Sequence, residues 1–287
     1  MAVLIIGGAF YVSRKSTEHL TGVGSNTTLV SIKNVPYTGE LDANGNGTPD
    51  WEEELSKNVF EKIATPEELV STSTTDTSSL TYTDRFARSF FEDYFNTQTG
   101  NAIPQTQEEF VNRAVTTVER ETSALRYTRA DVITTDDSDV AIRAYGNAVG
   151  EIVLRNSAGG SDHELLILQR AMEERNAAVL TELLPIQGAY EGLVADARAL
   201  PAPVSLANQH RDLINAFEAL RADITAMQLI FDDPLYAYAR LKRYDADATN
   251  LYTAFYTLYS ALTARGVVYA SDEPAYFLYI FDTPYTP

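Results

Sequence analysis

From Thr81 onward, apolar side chains recur every three or four residues, the spacing that keeps them on one face of an α-helix. Phe86, Phe90, Phe91, Tyr94 and Phe95 form the first such stripe, behind an opening at Thr83 and Asp84. Phe110, Ala114, Val115 and Val118 form the second, behind Thr106 and Glu109. That pair is a capping box, in which hydroxyl and carboxylate satisfy first-turn amides reciprocally. A third helix is expected from Asp137 or Ser138 through Ile142, Tyr145, Val149 and Ile152, closing near Gly159 and Gly160. Ser161 or Asp162 opens a long fourth helix, bent at Pro185 and running to Leu200. After the hard break at Pro201-Ala202-Pro203, the pattern predicts one helix from about Ser205 to Ile230 and another from Pro234 to about Ala264. Asp233 is placed to cap the latter, Pro234 fits its first turn, and Gly266 supplies the stop. The apolar tail Tyr276 to Phe281 should pack back as a helical turn or a strand. The fold class is all-α: a closed bundle of six or seven helices over residues 81–287. The self-similarity at about 34 or 40 residues that marks a helical repeat array is missing.

Upstream of Thr81 the pattern changes. Ala2 to Val12 is an uncharged apolar run that stops at Ser13, Arg14 and Lys15. It is shorter than the roughly 20 residues that span a bilayer. Its length fits the apolar part of a signal peptide, but no basic segment precedes it and no small-x-small site follows. Residues 1–15 are therefore expected to be the outer part of a hydrophobic anchor helix. Residues 16–40 are rich in Ser, Thr, Gly and Asn, with one β-like stretch at Thr28 to Ile32, and read as a stalk. Residues 41–70 hold a polar loop and a short segment with Leu55, Val59, Phe60 and Ile63 on one helical face. Residues 71–80, mostly Ser and Thr, read as a linker into the helical body.

Charge and composition narrow the possible partners. With 40 acidic against 22 basic residues, the formal charge of −18 repels phosphate backbones and anionic lipid surfaces, so nucleic acid is not an expected partner. The chain has no cysteine, which excludes disulfides, a thiol nucleophile and thiolate-held metals. Scarce lysine with plentiful Thr, Ser, Asn and Tyr leans toward an exported protein.

One stretch carries a specific chemical signature. Residues 42–53, Asp-Ala-Asn-Gly-Asn-Gly-Thr-Pro-Asp-Trp-Glu-Glu, match D-x-[DN]-x-[DN]-G-x5-E at every fixed position. A calcium loop of this type needs side-chain oxygens at positions one, three, five, nine and twelve, a backbone carbonyl at seven and a turn glycine at six. Asp42, Asn44, Asn46, Asp50 and Glu53 fill the first set, with the Thr48 carbonyl and Gly47 in the other places. Glu53 would close the site with both oxygens. Pro49 stands at position eight, where paired EF-hands carry a β-branched residue bridging to a second loop, and this chain has no second loop. The approach through Val35, Pro36 and Tyr37 is extended rather than an entering helix. Over some 15 residues the segment resembles the single loops of dockerin-like and thrombospondin type 3-like modules. That resemblance implies extracellular Ca2+, held at the weak end of the affinity range because only three carboxylates contribute. A lone loop has no partner hand to open, so calcium is expected to stiffen the joint between stalk and body rather than to signal.

Other constellations are weaker. His19, His163 and His210 lie far apart and outside any zinc pattern. Gly7-Gly8 and Gly159-Gly160 lack the context of a phosphate loop, and no nucleophile elbow is present. The doublets Asp136-Asp137, Glu173-Glu174 and Asp232-Asp233 could form an acid/base pair, though helix caps and solvated faces explain them more simply. Tyr236, Tyr238, Tyr244, Tyr252, Tyr256 and Tyr259 are unusually dense; Tyr252, Tyr256 and Tyr259 suit packing inside the bundle, and outward ones would suit a glycan or protein partner.

The order of anchor, stalk, loop, linker and helical body also resembles membrane-anchored helical surface proteins of bacteria of reduced genome, a likeness of layout that implies no activity. The expected function is that of a protein held at the cell membrane with its body outside, acting without catalysis in surface interaction or assembly. One alternative is a filament subunit, a homo-oligomer packed through residues 2–12. Another is a cell-envelope enzyme using paired carboxylates.

Overall fold

The computed structural model describes residues 80–98, 106–157 and 161–282, together with Gly45, Asn46, Thr48 and Glu53. The expected anchor and stalk, and all of the linker but Leu80, lie outside the described residues. Within them the chain is helical, with eight α-helices, several 310 turns and one short parallel β-bridge. The helices are α1 (Tyr82–Gln98), α2 (Gln107–Glu121), α3 (Asp139–Arg155), α4 (Glu164–Glu173), α5 (Leu184–Ala199), α6 (Ala207–Gln228), α7 (Pro234–Leu241) and α8 (Tyr244–Ala264). None of the described helices is long and apolar enough to cross a membrane. The bridge pairs β1 (Thr134–Thr135) with β2 (Ala202–Pro203), Thr134 opposite Ala202, and ties the approach to α3 to the approach to α6.

The helix count exceeds the expected six or seven because two long apolar runs each divide. The first was expected to run past Ser161 to Leu200 with a bend at Pro185. It begins instead at His163, whose ring accepts the Leu165 amide, and it stops at Glu173. Arg175 then takes a left-handed backbone, φ 49°, and Asn176 caps a 310 turn over Ala177–Leu183. Pro185 lies in the first turn of α5, where it displaces no helical hydrogen bond, so the break falls ten residues before the proline and not at it. The second run, expected unbroken from Pro234 to Ala264, turns at Lys242 and Arg243 between α7 and α8. No glycine or proline marks that turn; Arg240, in the last turn of α7 just before it, is buried, as described below.

Helix α6 is the axis of the bundle, packed against α5, α7 and α8. Leu213, Phe217, Leu220, Ile224 and Met227 on α6 are all at most 2% exposed and belong to one continuous core. Burying side chains of this size stabilises the fold by about 1.5–3 kcal/mol each. The C-terminus of α8 closes as the sequence indicates: Gly266 adopts φ +73°, the Gly266 amide bonds the Thr263 carbonyl, and Val267 bonds Leu262, a full Schellman arrangement. The tail then packs back as a 310 segment, Pro274–Phe281, burying Phe277, Leu278 and Phe281 against α3 and α8. It approaches α3 so closely that a Cβ on Gly150 would fall 2.3 Å from the Pro274 carbonyl carbon. Asn147 secures the crossing, donating to Glu273 and accepting the Ala275 amide.

The α1–α2 pair is an arm apart from this core. The capping box of Thr106 and Glu109 is present, with both bonds made. The aromatic stripe of α1 forms at the expected spacing, but it is not drawn into the main core. Phe90 meets Phe110 of α2 with ring centres 4.8 Å apart, while Tyr94 and Phe95 are 45% and 53% exposed. On α2, Val111 and Val115 are 46% and 50% exposed.

Candidate metal site and buried polar centres

Of the six residues expected to hold calcium, Asn46, Thr48 and Glu53 are described; Asp42, Asn44 and Asp50 lie outside the described residues. Gly45 has φ +70°, a left-handed conformation that turns the chain sharply without a side-chain penalty. The Thr48 amide donates to Asn46 Oδ1 at 2.8 Å, an Asx turn that folds the loop on itself. Asn46 Nδ2 donates to Glu53 Oε1, so positions five and twelve of the loop touch. Glu53 itself lies in helical backbone. Positions five and twelve of the loop are thus adjacent, with the amide nitrogen of Asn46 turned toward Glu53. Presenting the Asn46 oxygen beside the Glu53 carboxylate would require the amide to rotate and give up its bond to the Thr48 amide. Among the described residues no group of three or more His, Asp or Glu side chains is arranged to hold a metal.

The carboxylates of the doublets go to separate partners, several of them as caps. Asp136 accepts the Ser138 amide, and Asp137 accepts the amide and hydroxyl of Ser205, 68 residues away. These bonds hold both carboxyls below the usual carboxylate range. Ser138, not Asp137, caps α3. Glu173 accepts from Gln169 on the surface of α4. Asp233 precedes Pro234, as expected, but makes no side-chain bond to its own helix. Its carboxylate accepts the Tyr82 amide at 2.7 Å, the Thr83 amide at 2.9 Å and the Thr83 hydroxyl. In return Thr83 Oγ1 accepts the Leu235 amide at 3.0 Å. Helices α1 and α7 therefore cap each other, and this exchange fastens the arm to the bundle.

Two histidine roles are now assigned. His163 caps α4, as above. His210 is 1% exposed; its Nε2–H donates to the Ala197 carbonyl at 2.9 Å, which leaves Nδ1 to accept the Tyr145 hydroxyl at 2.8 Å. Burial favours the neutral ring and lowers its pKa to about 4. The tyrosines of α8 divide as the spacing suggests: Tyr252, Tyr256 and Tyr259 pack partly buried on the core. Tyr244 is fully interior, donating to Glu164, itself 4% exposed, at 2.6 Å.

The sequence reading did not single out the most enclosed charged centre among the described residues. Arg240 on α7 and Asp223 on α6 have side chains 1% and 0% exposed, with Arg240 Nη2 to Asp223 Oδ1 at 2.6 Å. The same nitrogen lies 3.1 Å from Asp247 Oδ2 on α8 and 2.8 Å from the Ala219 carbonyl. Nη1 reaches the Thr122 carbonyl just past α2 at 3.3 Å. The available signal was positional: Asp223 follows Leu220 by three residues and precedes Met227 by four, so a carboxylate occupies an apolar-face position of α6.

No family model, curated protein or solved structure matches this chain.

Proposed function

We propose that this chain is a membrane-tethered extracellular helical protein in which one calcium ion stiffens the joint between stalk and body. The ligands are Asp42, Asn44, Asn46, the Thr48 carbonyl, Asp50 and Glu53. The observation that carries the reading is the complete twelve-position loop, supported by the meeting of Asn46 and Glu53 across it. The ion would supply a charge centre that draws the loop's oxygens together; the chain supplies the turn glycine Gly47 and the closing carboxylate of Glu53. The body acts in surface interaction or assembly, with another protein, a glycan or a second copy as partner. The exposed aromatic and aliphatic side chains of the arm, Tyr94, Phe95, Val111 and Val115, support that role. The tether is residues 1–15, whose apolar run would otherwise be an aggregation site.

Isothermal calorimetry with calcium on the full chain tests the metal claim. Wild type should bind, Glu53→Gln should lose the bidentate closure and Asp42→Ala the first donor, each weakening affinity by more than roughly tenfold. Magnesium should replace calcium poorly, because its small octahedral shell does not suit a cage of about seven oxygens. Metal removal should expose residues 36–64 to protease while leaving the helical body folded. No calcium binding by wild type at several millimolar free ion, roughly the weakest range of such sites, would refute the proposal.

A further inference from the structure

The Asp223–Arg240–Asp247 centre brings two carboxylates and one guanidinium together inside the bundle. With all three ionised, the centre holds one negative charge more than its cation can balance. The hydrogens of Arg240 decide where the imbalance falls. Nη2 carries two, and these are directed to the Ala219 carbonyl and to Asp247. Asp223 Oδ1 lies close to the same nitrogen but off the line of its N–H bonds. Among the described residues neither Asp223 oxygen receives a hydrogen bond. A fully buried carboxylate anion without a directed donor is the costliest state available to it.

The other charged or titratable groups around the centre do not relieve this. On α6 itself, Glu218 is paired with Arg221. Tyr190 from α5, fully enclosed, has its hydroxyl pushed well above the usual range by burial first and then by the Glu164 charge. Glu164 from α4 is held by Tyr244 of α8. Each neighbour thus adds negative field or is already engaged, and among the described residues Arg240 is the one cation in contact.

We propose that Asp223 is protonated in the folded protein and donates its hydroxyl to Asp247, so that the pair holds a single interior proton. That proton balances the centre's charge and lets Arg240 bridge α6, α7 and α8 while its other nitrogen grips the end of the arm at Thr122. Burial and the Asp247 charge both act in this direction on the Asp223 carboxyl, and outweigh the opposing pull of Arg240. The centre is thereby a pH-sensitive bolt: loss of the proton at high pH leaves two anions on one cation and loosens α7, to which the arm is docked.

Infrared spectroscopy of the folded full chain at neutral pH reads the proton directly. The expected result is a carbonyl stretch of a protonated, desolvated carboxylic acid that is lost in Asp223→Asn. Asparagine mimics the neutral acid, since its amide donates to Asp247 in the same place. The variant should therefore match wild type in urea unfolding near pH 4, then gain on it by up to tenfold in folding constant per pH unit as pH rises. A wild-type spectrum without the band overturns the proposal, and this needs no variant to fold. So does a band that persists in Asp223→Asn, or a variant less stable than wild type by a constant factor across the pH range.

Discussion

Removing the Asp233 carboxylate should undock the arm without unfolding the bundle. In Asp233→Ala, the Tyr82 and Thr83 amides lose their acceptor, and so does the Thr83 hydroxyl. Loss of a cap costs about 1 kcal/mol, and bonds to a charged acceptor contribute about 1.5–3 kcal/mol. The carboxylate also faces the positive end of the α1 dipole, so about 3 kcal/mol of docking free energy is at stake. Helix α1 keeps its own start, because Thr81 and Asp84 form a second reciprocal pair: the Asp84 amide bonds Thr81 Oγ1 at 3.1 Å and the Thr81 amide bonds Asp84 at 3.2 Å. The perturbation therefore falls on the junction. Native-state hydrogen exchange should show the α1 and α2 amides losing protection on the order of a hundredfold, with α6 and α8 little changed. Asp233→Asn, which keeps one acceptor oxygen, should lie between. Thr83→Val removes the other half of the exchange, including the acceptor for Leu235, so the double variant should cost less than the sum of the singles. Equal loss of protection in α1 and α6, or full additivity, would refute the reciprocal-cap reasoning.

Gly150→Ala places a methyl group against the Pro274 backbone, which cannot rotate away as a side chain can. Unfolding should be easier by about 1–3 kcal/mol, read by urea denaturation, whereas Gly188→Ala, with open space around its Cβ position, should be tolerated. The buried neutral His210 has a folded pKa of about 4 against 6.5 when free. Its contribution is full above pH 6.5 and is lost as pH falls toward 4, because the unfolded chain protonates first. His210→Gln should be less stable than wild type at pH 8, and the gap should narrow by roughly 3 kcal/mol by pH 4. A gap independent of pH would show that the ring is not held neutral.

Local chemistry is legible wherever a residue acts on its own neighbours. The Thr106–Glu109 box, the Gly266 stop, the Pro234 first turn and the 3.6-residue periodicity all depend on atoms within a few positions along the chain, so the sequence alone determined an all-α fold and most helix starts. The motif proposed to hold calcium is likewise a local pattern, its twelve positions being consecutive in the chain. Tertiary structure decided what depends on distant partners. Asp233 looked like the cap of α7 and serves α1, because a carboxylate goes to the unsatisfied amides nearest in space. The turn at Lys242 and Arg243 has no local breaker in the sequence; just before it, Arg240 meets Asp223, Asp247, Ala219 and Thr122, partners that lie far along the chain or across the turn. The break at Arg175 likewise preceded the proline that pattern alone would blame. The aromatic stripe of α1 has the period of a core helix yet lies on an arm, since periodicity fixes which residues share a face but not whether another element covers it.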